Sequence, residues 1–141
     1  MRFVLDASVA LAWLLSDENP ALEAYAHRVL ALVDAEVAQS VIPMAWHAEV
    51  AHVLLKRLRS KRLSVERFND ALALYQRMPL ESHMNAYTVG ILIERARRYH
   101  AQAIDTLYLD LASTLSLPIA TIDSGLRSAA KANGVKLFAP A

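Results

Sequence analysis

Apolar and polar positions alternate between two periods along this chain, and the alternation predicts its elements. Phe3 to Leu5 is a short, partly β-branched apolar run that reads as a buried strand, and Ser8 to Leu15 continues in helix formers. Asn19-Pro20 opens a second helix with proline in its first turn, carrying a stripe of Leu22, Tyr25, Ala26, Val29, Leu30 and Val33. Val37 to Ile42 is a second strand, stopped by Pro43. From Met44 to about Leu58 the period is helical again, with Trp46, Val50, Val53 and Leu54 on one side. Ser64 caps a helix running to about Met78, and Leu80 to His83 is a short strand. Helices follow over Asn85 to Tyr99 and Ile104 to Leu115, then a strand over Pro118 to Ile122. A helix from Ser124 to Asn133 closes at Gly134, and Val135 to Phe138 reads as the last strand.

Short apolar strands alternating with helices imply βαβ units, hence an α/β fold: a three-layer α/β/α sandwich around a central, mainly parallel sheet. No linker, repeat or low-complexity segment interrupts the pattern, and 141 residues suit one domain over 1–141. In such sheets ligands bind at the carboxyl ends of the strands, so polar residues just after a strand are the ones to weigh. Asp6 follows the first strand directly, and Asp123 follows P-I-A-T-I. Helix N-capping explains either aspartate alone. Two parallel strands ending in Asp, beside the hydroxyls of Ser8, Thr121 and Ser124, weaken that explanation.

Two further acids join them. Glu49 lies within about 60° of Trp46 and Val53 on its helix, bordering the buried stripe, where a snorkelling or capping glutamate is the plain alternative. Asp105 lies near the start of I-D-T-L-Y-L-D-L-A, where a helix N-terminus already favours an anion. Asp110 lies about 140° round the same helix, so both aspartates cannot face one site. Converging carboxylates repel one another, and hard, oxygen-seeking Mg²⁺ or Mn²⁺ relieves that repulsion. One or two such ions can orient a water and stabilise charge on a phosphodiester.

The strings F-V-L-D-A-S-V, P-M-A-W-H-A-E-V, I-D-T-L-Y-L-D-L-A and L-P-I-A-T-I-D-S-G-L, in this order, resemble a PIN domain. Their overall spacing is most similar to the VapC-type toxins of toxin–antitoxin pairs. That resemblance implies that Asp6, Glu49, Asp105 and Asp123 form an acidic metal site, supported by Ser8, Thr121 and Ser124. It implies a metal-dependent endoribonuclease leaving a 3′-hydroxyl and a 5′-phosphate, a cognate antitoxin whose helix lies between the early helices, and a homodimer. The chain departs from the family pattern at Ile104, where an aromatic is frequent, and at Asp110, where a small or apolar residue is common. Neither departure removes an acid of the site.

Composition narrows the remainder. Three glycines and no G-x-G-x-x-G or G-K-[ST] string exclude a glycine-rich phosphate loop. The absence of cysteine excludes a disulfide scaffold and thiolate zinc. H-A-E-V-A-H is not H-E-x-x-H, and its histidines lie about 140° apart on a helix. The run after Asp6 is far short of the roughly 20 residues of a membrane span and lacks signal-peptide flanks, so a cytoplasmic protein is expected. A formal charge of +1 says nothing about nucleic acid, but its distribution does. Lys56, Arg57, Arg59, Lys61 and Arg62 form one basic cluster and Arg95, Arg97 and Arg98 another. Each is either a solvated helix end or a contact for RNA phosphates or an acidic antitoxin tail. The competing functions are a non-catalytic RNA- or protein-binding module, a solitary RNA-processing nuclease, and an aspartyl-nucleophile phosphatase. The last normally carries D-x-D, where this chain has Ser8.

Overall fold

The computed structural model describes residues 1–15 and 19–140. Its sheet has four strands, β1 (Arg2–Leu5), β2 (Gln39–Pro43), β3 (Leu80–His83) and β4 (Ile119–Ala120), in the order β3-β2-β1-β4, and every pairing is parallel. Phe3, Val4 and Leu5 are fully buried, as a central strand covered on both faces requires of its sequence. The helices are α1 (Ala7–Ala12), α2 (Pro20–Asp34), α3 (Ala45–Arg59), α4 (Val65–Arg77), α5 (Val89–Tyr99), α6 (Ala103–Leu115) and α7 (Ser124–Ala132). With the sheet they make the expected three-layer α/β/α arrangement.

Local chemistry explains where most of these elements begin. Asn19 caps α2 by accepting from the amides of Ala21 and Leu22, Ser64 caps α4 through Arg67 N, and Asp123 caps α7 through Leu126 N. Gly134 ends α7 at φ +71°, a conformation an L side chain resists, while Val135 N donates to Ala130 O at 2.9 Å. The polar tips of buried aromatics tie helices to one another. Trp13 Nε1 donates to Ala26 O at 2.8 Å, and Tyr75 OH donates to Ala10 O at 2.8 Å.

Several boundaries differ from the pattern's expectation: α1 ends at Ala12 rather than Leu15, β4 keeps only Ile119–Ala120 of the expected Pro118 to Ile122, and three further differences have a local cause. β2 starts at Gln39, because Val37 and Ala38 both donate their amides to Leu32 O in the turn that ends α2. Glu36 makes that turn in the left-handed region, at φ 57°. α5 starts at Val89 rather than Asn85, because Thr88 takes the cap by accepting from Ile91 N at 3.2 Å. Val135 to Phe138 forms a single parallel bridge, Ile119 to Leu137, instead of a strand. Its partner β4 is only two residues long, and Pro118 before it has no amide to extend the ladder. Phe138 is nonetheless buried, its ring stacked on Phe3 with centroids 4.2 Å apart.

Register positions the functional edge. Leu5 pairs with Ala120, so Asp6 and Thr121 leave the sheet side by side, and Asp6 N donates to Ala120 O at 3.0 Å. β2 ends at Pro43 on the same edge and leads into α3, the helix that carries Glu49. Among the described residues no helix is long and apolar enough to cross a membrane.

Candidate active site

Asp6 is the N-cap residue of α1 by backbone geometry, at φ −75° and ψ 146°, yet its carboxylate makes no capping bond. Capping therefore does not account for it. Its Oδ2 accepts from Ser8 Oγ at 2.5 Å and from Thr121 Oγ1 at 2.8 Å, so two of the three expected supporting hydroxyls reach it. Those hydroxyls are themselves held by the loop after β4. Ile122 N donates to Ser8 Oγ at 3.2 Å, and Asp123 N donates to Thr121 Oγ1 at 3.1 Å. Burial, with Asp6 only 6% exposed, drives its pKa above the ordinary value of 3.8. The two hydroxyl bonds lower it, the charge of Asp123 raises it again, and the net shift is upward.

The other three acids belong to the same group. Glu49 is half-buried, as its place beside the apolar stripe of α3 predicts. Burial raises its pKa first, and the charges of Asp6 and Asp105 add to the shift. Asp105 lies in the first turn of α6, and burial followed by the charges of Asp123 and Asp6 pushes its pKa up to about 6. The helix N-terminus favours the anion there, but desolvation and like charge win. Asp123 does cap a helix, its Oδ2 accepting from Leu126 N at 2.8 Å. A methyl at Gly125 would stand 3.3 Å from that same oxygen, so glycine leaves the carboxylate its room.

Among the described residues none of the four acids forms an ion pair with lysine, arginine or histidine. Nor do any three His, Cys, Asp or Glu side chains already form a metal cage. What the structure presents is a looser acidic group whose members feel one another's charge while no cation balances them. Such an all-oxygen donor set fits a hard divalent ion and fits a soft or thiolate-seeking metal poorly.

One contributor escaped the sequence reading. Tyr108 is fully buried and its OH donates to Glu49 Oε1 at 2.7 Å. It therefore joins α6 to α3 behind the carboxylates. The signal was its place three residues after Asp105, on the same helical face. Ser124, by contrast, is exposed at the start of α7 and makes no side-chain hydrogen bond to the acids among the described residues.

Asp110 is placed away from this group. It is 6% exposed and accepts from Tyr87 OH at 2.5 Å and Tyr99 OH at 3.0 Å, and it pairs with Arg95. Burial alone would raise its pKa, but these donors together outweigh burial and hold it below the usual carboxylate range. Arg95 is thereby engaged in an intramolecular ion pair at the surface, and Arg98 lies over the Tyr99 ring. Arg97 is exposed, as are Lys56, Arg59, Lys61 and Arg62, whereas Arg57 is half-buried.

PAE2754 from Pyrobaculum aerophilum superposes with a TM-score of 0.62 at 15% identity, over 92% of this chain and 79% of that one. FitAcB from Neisseria gonorrhoeae superposes with a TM-score of 0.59 at 20% identity, over 99% of this chain and 98% of that one. At these identities the two likenesses establish the fold alone. No curated protein matches the sequence. The family model described as "PIN domain" matches residues 3–132, a span that contains all four acids, and the chain belongs to that family, whose members are generally nucleases.

Proposed function

We propose that the chain is a Mg²⁺-dependent endoribonuclease, with Mn²⁺ as an accepted substitute, acting as the toxin of a toxin–antitoxin pair. It works as one domain over residues 1–141 in the cytoplasm. The observation that carries this reading is the set of four mutually repelling carboxylates, unbalanced by any described cation, at the carboxyl edge of a PIN sheet. Asp6, Glu49, Asp105 and Asp123 hold one or two divalent ions. When bound, the metal supplies Lewis acidity, orienting a water and stabilising charge on the phosphodiester oxygens.

The chain's own residues prepare the donors. Ser8 and Thr121 fix one oxygen of Asp6, Tyr108 fixes Oε1 of Glu49, and the α7 amide fixes Oδ2 of Asp123. Each of these three acids thus keeps its other oxygen free of side-chain and capping hydrogen bonds among the described residues, directed by the bond on its twin. The buried β1 and β4 hold the Asp6 and Asp123 backbones rigidly, so little reorganisation accompanies binding. Hydrolysis then leaves a 3′-hydroxyl and a 5′-phosphate, as the family resemblance implies.

The partner reading has its own support. α5 buries none of its residues, and Val89, Ile93 and nearby Ile104 expose apolar surface, at 78, 53 and 48%. A second copy of this chain covers that surface in a homodimer, and the antitoxin helix packs against the early helices. The deciding experiment is cleavage of a labelled single-stranded RNA with and without Mg²⁺. Metal-dependent cleavage lost in Asp6→Asn supports the reading, and full cleavage by that variant refutes it. Growth arrest on induction, relieved by a protein encoded next to this one, separates a toxin from a solitary RNA-processing enzyme. Metal binding without cleavage of any RNA makes the chain a binding module.

A further inference from the structure

The eight basic residues of the two clusters are not equivalent in the fold. Only Arg57 among them lines a cleft of about 390 Å³ that Ser8 and Asp123 also line. The rest of its lining is apolar and includes the half-buried Leu11, Val53 and Ile122. Arg57 is itself half-buried, and its guanidinium forms no ion pair or hydrogen bond among the described residues. An arginine held beside a carboxylate group without pairing to it is placed for an anion that arrives from outside. The volume lies within the roughly 300–1,000 Å³ of ligand pockets. Guanidinium and apolar lining together match the two halves of a nucleotide, a phosphate and a base face.

Resting on the nuclease reading above, we propose that this cleft is the subsite for one unstacked nucleotide of single-stranded RNA adjoining the scissile bond. Its phosphate pairs with Arg57 and its base lies on Leu11, Val53 and Ile122. The subsite selects unpaired RNA, because a base stacked and paired in an A-form helix cannot turn into the cleft. Arg57 here is a binding residue, and the exposed cations on the same helix contribute only general attraction.

The test is binding, not cleavage: fluorescence anisotropy of labelled oligouridylate with the full chain in EDTA, across a salt series. Arg57→Ala is expected to weaken binding about tenfold and to reduce the salt slope by about 0.7, the loss of one phosphate contact to a single strand. Arg57→Lys restores the slope. Lys136→Ala serves as the control, since Lys136 lies at the opposite, amino end of β4 and leaves both values unchanged. With the wild-type chain, one abasic position scanned along the strand weakens binding about tenfold at one place, and duplex RNA binds more weakly than the single strand. An unchanged slope in Arg57→Ala, a flat abasic scan, or equal affinity for duplex overturns the subsite. So does an Arg57→Ala variant that loses capture of a partner protein and keeps its RNA affinity. Arg57-dependent binding by a chain that cleaves nothing leaves the subsite standing and removes the nuclease reading. Metal-dependent cleavage with Arg57-independent binding does the reverse.

Discussion

Replacing Asp105 by asparagine is expected to stabilise the metal-free protein at pH 8, although it deletes a residue of the proposed site. The carboxyl of Asp105 titrates at about 6 in the fold against an ordinary 3.8, raised by burial and then by Asp123 and Asp6. The folded state thus binds this proton more tightly than the unfolded chain does. The group therefore costs nothing below pH 3.8, becomes progressively destabilising up to about pH 6, and carries its full penalty above that. Two units correspond to about 3 kcal/mol before any allowance for solvent. Asp105 is only half-buried, and screening through its exposed side reduces this to roughly 1 kcal/mol. In a chain of this length that is a rise in Tm of about 3–4 °C.

Thermal denaturation in EDTA at pH 8 and at pH 3.5 reads the effect, with the gain present at the first and absent at the second. Saturating Mg²⁺ reverses the order, because the wild type gains about 1.4 kcal/mol when free ion is about ten times its dissociation constant. The variant, short of one carboxylate, gains less. Equal melting temperatures in EDTA at pH 8, or a gain that persists unchanged at pH 3.5, refute the claim that like charge and burial strain this edge.

Tyr108→Phe keeps the ring and removes only the hydroxyl on Glu49, so the fold is retained while Mg²⁺ affinity, read by isothermal titration, falls about tenfold; unchanged affinity means Glu49 needs no such support. Asp110→Ala leaves Arg95, Tyr87 and Tyr99 without their shared acceptor and is expected to cost about 1–2 kcal/mol in chemical denaturation, with metal affinity of the folded protein unaltered. A loss of metal binding at full stability would place Asp110 in the site instead. Ser40 is fully buried in β2 and its hydroxyl has no partner among the described residues, so Ser40→Ala should raise stability by about 1 kcal/mol, and a destabilised variant would reveal an acceptor for it.

The parts of this site that the sequence made readable share one physical basis: local pattern decides them. An apolar β-branched run followed at once by a carboxylate places the acid at a strand's end whatever the rest of the chain does. That is why Asp6 and Asp123 could be assigned to one edge before the register of Leu5 with Ala120 was known. Helical spacing likewise put Glu49 at the border of the buried stripe of α3, where it is found half-buried. The PIN resemblance supplied what periodicity lacks, namely that acids on α3 and α6 join the two strand-end aspartates.

The parts that stayed hidden depend on pairings across the fold. Nothing in Tyr87, Tyr99 and Arg95 announces that three donors converge on Asp110, because the convergence requires α5 to lie along α6. The same holds for Tyr108 and Glu49, which are 59 residues apart in the chain. Between them these two hydroxyl-and-carboxylate arrangements divide the work of α6. One end of the helix carries Asp105 and Tyr108 toward an acidic group that no cation pairs with among the described residues, while Asp110, two residues beyond Tyr108, is supplied with one by Arg95. Acidic residues of one short helix are thus sorted by environment alone, into a carboxylate whose pKa is raised and one whose pKa is lowered. That contrast, more than the count of acids, supports the edge proposed for metal and phosphate: among the described residues the structural acid carries its own counter-charge, and the proposed catalytic ones are left to find theirs in solution.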